Sequence, residues 1–408
     1  MKGMNFNYRI PGVYKRELAV APAPRLATGV PGFVGFALPR GDGSQTAFYR
    51  PLALRREGDF ESEFEPAPGS RLTAALKGFF LNGGARCYVA CAERRGDPEA
   101  NLLKALESLS AVDDLDLIAA PDATALRREE EDELDSSAAL RVQRALLLHC
   151  ETQGGRLAIL DALPGLDAAG VKAQRDALAR GMNEPLNGAL YYPWLKVGRG
   201  VGVEAERKVG VGTEGKGGAT VLVPPCGHVA GVYARSDVRA GVFKSPANEE
   251  LTGVLDLETN VGTGVQSELN PEGVNCLRAF PGRGIRVWGA RTLSRDPAWR
   301  YVGVRRLFLT LRRWVEANMA WAALEPNTPR LWVRVRRELS AHLHELWQSG
   351  ALAGRTPEEA FYVKCDAETN PPEARDAGQA VAEVGLAPSN PAEFVVVRIT
   401  HHVGAEPR

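Results

Sequence analysis

The chain has 408 residues, 44% of them hydrophobic, and its 50 Lys+Arg are balanced by 50 Asp+Glu. That length suggests about two to three domains with ample apolar material to bury. No run approaches the roughly 20 apolar residues of a membrane span, and MKGMNFNYRIPG lacks the apolar segment of a signal peptide, so synthesis and assembly in the cytoplasm are expected, without membrane insertion.

The N-terminal stretch Tyr8 to Glu17 (YRIPGVYKRE) reads as an extended arm with a Pro-Gly break, its apolar teeth being Tyr8, Ile10, Val13 and Tyr14. The spacer AVAPAPRLATGVPG follows. From 85 to 290, short apolar runs of strand length, Cys87 to Ala90, Leu115 to Ala120, Leu157 to Leu160 and Ala189 to Pro193, alternate with helical stretches at Asn101 to Ser110, Ser137 to Gln153 and Val171 to Met182. Such β-α alternation predicts a parallel, doubly wound sheet. The acidic run Glu129-Glu130-Glu131-Asp132-Glu133 reads as a solvated outer loop or helix start.

Residues 210 to 217, GVGTEGKG, match the first seven positions of a phosphate-binding loop as Gly210 to Lys216. Such a loop needs a hydroxyl after the lysine and a helix behind it. Here Gly217 stands in that place and GATVLVPP follows, strand-like and then broken by two prolines, so a flexible surface loop is the stronger reading. His228, in PPCGHVAG, reads as part of a Gly/Pro-rich turn, and no G-x-S-x-G elbow accompanies it. The six cysteines are scattered and lack zinc spacing, and the pairs His342/His344 and His401/His402 are weak metal signals. No catalytic, cofactor or metal residue is assigned, and no enzymatic activity is expected. The competing reading is a cytosolic α/β NTPase or hydrolase using the Gly210–Lys216 loop.

Asn275 to Phe280 and Ile285 to Ala290 form a predicted hairpin, turned by Pro281-Gly282-Arg283-Gly284. Val304, Leu307, Phe308, Leu311, Trp314 and Val315 then recur at helical spacing. Arg305 with Arg312, and Arg306 with Arg313, should stay off that stripe. A second helix places Leu331, Val335, Leu339, His342 and Leu346 inward and Arg330, Arg334 and Arg337 on the opposite side. Nine arginines against four glutamates between Arg300 and Gln348 make an acidic partner plausible, with a merely solvated helix surface as the alternative. Beyond Ala387-Pro388-Ser389-Asn390-Pro391, the stretch Phe394 to Val403 (FVVVRITHHV) is strongly β-prone, with Phe394, Val395, Val396, Val397 and Ile399 as its apolar residues. A terminal strand pairs within its own fold or adds to another subunit's sheet edge.

Seven blocks in order, PGVY (11 to 14), VPPCGHVAGVYAR (223 to 235), VFKSPANEE (242 to 250), LNPEGVNCLRAFPGRGIRVWGARTL (269 to 293), VGVRRLF (302 to 308), EPNTPRLW (325 to 332) and GALAGRTPEEAFYVKCD (350 to 366), resemble the tail sheath family of contractile phage tails, R-type pyocins and extracellular contractile injection systems. The resemblance implies a mixed α/β fold with a central, subtilisin-like doubly wound domain lacking the triad, a C-terminal α+β domain, and extended β-arms that exchange strands between subunits. The implied divisions are an arm at 1–22, the first part of the body at 23–95, an outer α/β domain at 96–268, an inner domain at 269–386 and a strand arm at 387–408. It further implies a homopolymer contracting around an inner tube, with Arg305, Arg312, Arg313, Arg330, Arg334 and Arg337 facing that tube. Implied partners are baseplate and tail terminator or cap components and an AAA+ ATPase, with no nucleic acid, in a phage tail or a released tail-like particle. The chain is shorter than the sheaths of large phages, so their extra outer domains are not expected. A two-chain type VI sheath fits less well, because this one chain carries both arms and the C-terminal domain.

Overall fold

The computed structural model describes residues 26–40, 48–128, 133–198 and 220–391. The apolar residues assigned to both expected arms, the Gly210–Lys216 loop, His401/His402 and residues 129–132 of the acidic run lie outside the described residues. In chain order the strands are β1 (Pro31–Pro39), β2 (Pro51–Leu54), β3 (Phe64–Pro66), β4 (Cys87–Ala92), β5 (Leu117–Ala119), β6 (Leu157–Asp161), β7 (Gly188–Tyr192), β8 (Leu195–Gly198), β9 (Thr220–Val223), β10 (Glu249–Glu250), β11 (Val254–Leu257), β12 (Val274–Phe280), β13 (Gly284–Val287), β14 (Phe361–Lys364) and β15 (Glu383–Leu386). The main helices are α1 (Leu72–Leu81), α2 (Pro98–Ser108), α3 (Ser136–Gln153), α4 (Ala168–Ala179), α5 (Cys226–Ala240), α6 (Thr263–Leu269), α7 (Val302–Asn318) and α8 (Pro329–Gln348).

Six strands pair in parallel, in the order β4-β1-β5-β6-β7-β12, and β2, β3, β13 and β10 extend that sheet antiparallel. Phe33 lies opposite Val89 on one side and Ala119 on the other. Because successive side chains leave a strand on opposite faces, Phe33 and Ala37 enter one core while Val34 and Phe36 enter another. The first core contains α1 and α5; the second contains α2, α3 and α4 and the end of α6. A strand covered on both faces reads as an unbroken apolar run, which is why LDLIAA and LAILD were legible as strands.

Residues 274–287 carry the sheet beyond β7, through parallel pairing of β12 with β7, so the sheet includes residues past 268, where a domain boundary is expected. Their hairpin turns with Gly282 at φ +71° and Gly284 at φ +75°. Both are left-handed conformations that glycine adopts without steric cost. Beyond Leu293, α7 and α8 with the β14–β15 ribbon form a smaller unit around Leu331, Trp332, Val335, Leu339 and Cys365.

Two elements differ from the sequence reading. The central strand β1 lies ahead of the alternating region and begins in the last two residues of the AVAPAPRLATGVPG spacer, where the sequence reading placed no strand. The PPCGHVAG segment is no turn: it opens the 15-residue helix α5, and Pro225 occupies its N-cap. The glycines that suggest a turn instead allow two helices to touch backbone to backbone. A Cβ on Gly227 would stand 2.2 Å from the Ala75 carbonyl oxygen, and one on Gly231 would stand 2.4 Å from that of Phe79.

Candidate functional site: filled crevices and a basic helix face

In a doubly wound sheet, ligands settle at the carboxyl ends of the strands where the winding reverses, usually against a helix N-terminus. The reversal here falls between β1 and β5. That crevice holds the chain's own Asp122. Its carboxylate accepts from Phe36 N at 2.6 Å, from Ser70 Oγ at 2.6 Å and from Arg71 N at the start of α1. Burial pushes its pKa up against those bonds. One position further along the sheet, Asp161 ends β6 and accepts from Cys226 N, 2.8 Å away at the start of α5. Burial raises the Asp161 carboxyl to about 7.

The two faces thus cap their helices differently. Helices α2, α3 and α4 take Asp97, Asp135 and Asp167 as ordinary N-caps from their own sequence. Helices α1 and α5 take carboxylates from strand ends remote in sequence, and these fill the positions an anionic ligand would need. One turn into α5, His228 is fully buried, with no hydrogen-bond partner on either ring nitrogen. Burial lowers its pKa to about 4, so the ring is neutral near pH 7. With neither a hydroxyl nor a carboxylate bonded to it, this histidine forms no Ser-His-Asp relay. Among the described residues no three His, Cys, Asp or Glu side chains converge as metal ligands, and all six thiols are unpaired and buried.

The arginines of α7 separate into two populations. Arg312 is exposed and pairs with Glu316 at 3.1 Å. Arg305 is half-buried, donates to Asn187 Oδ1 at 2.6 Å and lies 4.8 Å from the Trp299 ring centre. Arg306 and Arg313, expected on the solvent face, are buried at 2% and 7% exposure. Arg306 bridges Asp116 at 2.7 Å and both oxygens of Asp237 at 2.7 and 2.6 Å. Burial opposes its charge, but Asp237 and Asp116 outweigh that and hold its pKa above the ordinary arginine value. Arg313 donates to the carbonyls of Ala27 and Asp114, each at 3.0 Å, so it is corrected from a partner-facing to an internal residue. The reason is that α7 is covered on two sides. Val302 and Leu309 join the sheet's core, while half-buried Trp314 and Val315 pack toward α8. A one-stripe reading cannot anticipate the second side.

On α8 the expected pattern is found: Leu331, Val335 and Leu339 are buried, and Arg330, Arg334 and Arg337 are exposed. His342 is half-buried, its ring stacked on Trp314 at 3.9 Å. Arg334 is held by Glu338 at 3.2 Å and lies 3.4 Å from the Trp321 ring centre. Arg330, Arg337 and the overlooked Arg336 are exposed, with no hydrogen bond or ion pair to any described residue. Their signal in the sequence is the run Arg334-Val-Arg-Arg, of which only two members fit an i, i+4, i+7 stripe.

A doubly wound sheet whose crevice and helix ends are filled by its own carboxylates is joined here to a helical unit with exposed guanidinium groups on its surface. Comparison with known proteins gives the family. The phage tail sheath central domain matches residues 101–293 and the phage tail sheath C-terminal domain matches residues 294–401, and the chain belongs to the phage tail sheath family. It is 30% identical, with a TM-score of 0.73, to a chain in the cryo-EM structure of the anti-feeding prophage baseplate, over 97% of this chain and 100% of that one. It is 29% identical, with a TM-score of 0.72, to a chain in the contracted sheath complex of an extracellular contractile injection system, PVC, over 98% of this chain and 99% of that one. The tail sheath protein of Salmonella phage ViI is 27% identical over 170 residues, which span 41% of this chain and only 26% of that relative.

Proposed function

We propose that the chain polymerises as the sheath around an inner tube and contracts from a metastable extended lattice, driving the tube into a target membrane. The observation that carries this reading is the near full-length likeness to injection-system sheath and baseplate chains, including sheaths in the contracted state. Contraction of this kind needs no fuel at firing if the contracted lattice buries more surface and a barrier holds the extended one.

Two further features support the reading. The β14–β15 ribbon has only two strands among the described residues. Two strands alone are marginal in water, and their open edges suit strands added by neighbouring subunits. The arms containing Tyr8, Ile10, Val13 and Tyr14, and Phe394 to Val397 with Ile399, would supply them. The exposed Arg330, Arg334 and Arg337 would face an acidic tube surface together with Arg312 and the half-buried Arg305. Exposed ion pairs contribute about 0–1 kcal/mol each and so break in sequence as the sheath leaves the tube. Baseplate, terminator or cap and an AAA+ ATPase complete the proposed partners, and the proposed setting is assembly in the producing cell's cytoplasm into a phage tail or released tail-like particle.

The NTPase alternative loses ground because the residues after the Gly-rich loop form β9, paired antiparallel with β8, where a phosphate-binding loop requires a helix. Negative-stain microscopy of the chain co-expressed with its tube protein is the direct test. Hollow sheathed tubes are expected; dispersed monomers that never polymerise under any tube or salt condition would overturn the reading.

A further inference from the structure

A pocket of about 490 Å³ opens where the C-terminal end of α5 meets β10 and β13. Arg235 and Arg239 reach it from α5, Lys244 from the following turn and Arg286 from β13. Glu249 lies on the pocket wall, 8% exposed, and its carboxylate is shared by Lys244 at 2.9 Å, Arg239, and Arg235 at 3.9 Å. Glu250 lies 3.9 Å from Arg286. Four cations therefore face two carboxylates, leaving an excess of two positive charges.

These cations are oriented and still have donors to offer. A guanidinium has five N–H donors. Arg235 gives Nη1 to Asn82 O at 3.0 Å and Nη2 to Glu250 O at 2.7 Å; Arg286 gives Nε to Arg283 O at 2.9 Å and Nη1 to Asn248 O at 2.7 Å. Anchored by main-chain carbonyls and partly withdrawn from water, they are prepared for bidentate carboxylates, which bind more strongly there than on an open surface.

With zero net charge, the chain holds the complementary charge elsewhere, and its densest source is the unbroken acidic run of residues 129–133. The neck of that loop is fixed by Arg128 N donating to Glu133 O at 2.9 Å and by the Arg127–Leu134 bridge, beyond the carboxyl end of β5. The α5 side of the pocket lies toward the other end of β5, while its β10 and β13 side lies beside Leu277 and Arg278 of β12. Asp237, on the last turns of α5, shares Arg306 with Asp116, which immediately precedes β5. The loop's neck and the α5 side of the pocket therefore lie beyond opposite ends of β5, as a head-to-tail, propagating contact requires. We infer that the α5/β10/β13 pocket receives the acidic 129–133 loop of a neighbouring copy, forming a polar contact between subunits of the sheath.

This inference rests on the sheath reading, and the experiment separates the two. Full-length parent, R235E/R239E, E129K/E130K/E131K and the combined variant are assembled with tube protein and compared by sedimentation and negative stain. Melting temperatures report folding. Each reversal alone should raise the concentration needed for sheath formation about tenfold, and the combined variant should recover to within about threefold of the parent. The neutral set E129Q/E130Q/E131Q/D132Q, which changes no residue of a described element, should weaken assembly and blunt its salt dependence. Parent-like assembly by both reversals, or a combined variant no better than either, overturns the contact while leaving the sheath reading intact. Damage from the pocket reversal with none from loop reversal or neutralisation in folded protein also overturns it, since another acidic partner would then fill the pocket. Failure of the parent itself to form sheaths defeats the sheath reading.

Discussion

Arg306 centres a buried ion cluster, because one guanidinium serves two carboxylates inside the fold. Removing one partner of a buried ion cluster leaves the others desolvated and uncompensated, which costs about 3–5 kcal/mol. Arg306→Ala should therefore lower the melting temperature far more than Arg312→Ala, whose side chain is exposed beside Glu316; equal melting temperatures would contradict the clamp. Asp161 supplies a pH signature. Its folded pKa, about 7, lies above the unfolded value near 3.8, so the native state binds the extra proton between these values and stability falls as pH rises from about 4 to 7. Asp161→Asn escapes that loss. Its melting temperature relative to the parent should be higher at pH 8 than at pH 5, and a pH-independent difference would argue against a protonated, buried Asp161. From sequence alone these roles were not readable: LAILD reads as a strand ending in a candidate metal-holding carboxylate, set aside because it precedes the Gly-rich loop, and arginines seven apart read as a face turned outward. What determines them is the element packed on top, which lies far away along the chain.

Among the elements, those with strong period carried their own identity. The parallel strands β4 to β7, the helices α2 to α4 and the β12–β13 hairpin all lie within a few residues of their expected places. Each has either an apolar run of strand length or a clear helical pattern. Helix α5 was hidden because close helix packing and turn formation both favour glycine, and a double proline suits a helix start as well as a break. Its contact with α1 is therefore a sensitive one. Gly227→Ala should cost about 1–3 kcal/mol by forcing a methyl onto the Ala75 carbonyl, whereas Gly58→Ala, whose Cβ would meet nothing within 4 Å, should be near neutral. Denaturant titration of the two variants compares them directly, and equal midpoints would mean that α1 and α5 are not in backbone contact. Helix α8 shows how far pattern reaches: it separated buried Leu331, Val335 and Leu339 from exposed arginines, but not the tethered Arg334 from the untethered Arg330 and Arg337. Tethering depends on Trp321 and Glu338, one of which lies before the helix begins.

For the whole molecule, family membership was legible in seven ordered blocks, while the sheet's reach to residue 287 was not, since the hairpin's sequence does not state which strand it joins. Two outcomes test the assembly reading at this scale. Deleting Phe394 to Val403 should abolish polymer while leaving a soluble, folded chain in gel filtration; ordinary sheaths from the truncated protein would exclude strand exchange by that arm. Reversing Arg330 and Arg337 to glutamate should leave the melting temperature within about 1 °C, because exposed substitutions of this kind change stability little. It should nevertheless prevent tube-bound extended sheaths, and a full yield of them would turn this helix face away from the tube. The Arg306 clamp bears on how such a machine performs work. Through Asp116 and Asp237 of α5, the clamp ties the start of α7 to the body that carries the sheet. If that joint stays rigid through contraction, the work of firing arises at the seams between copies, and a particle twice as long gains stroke without gaining force.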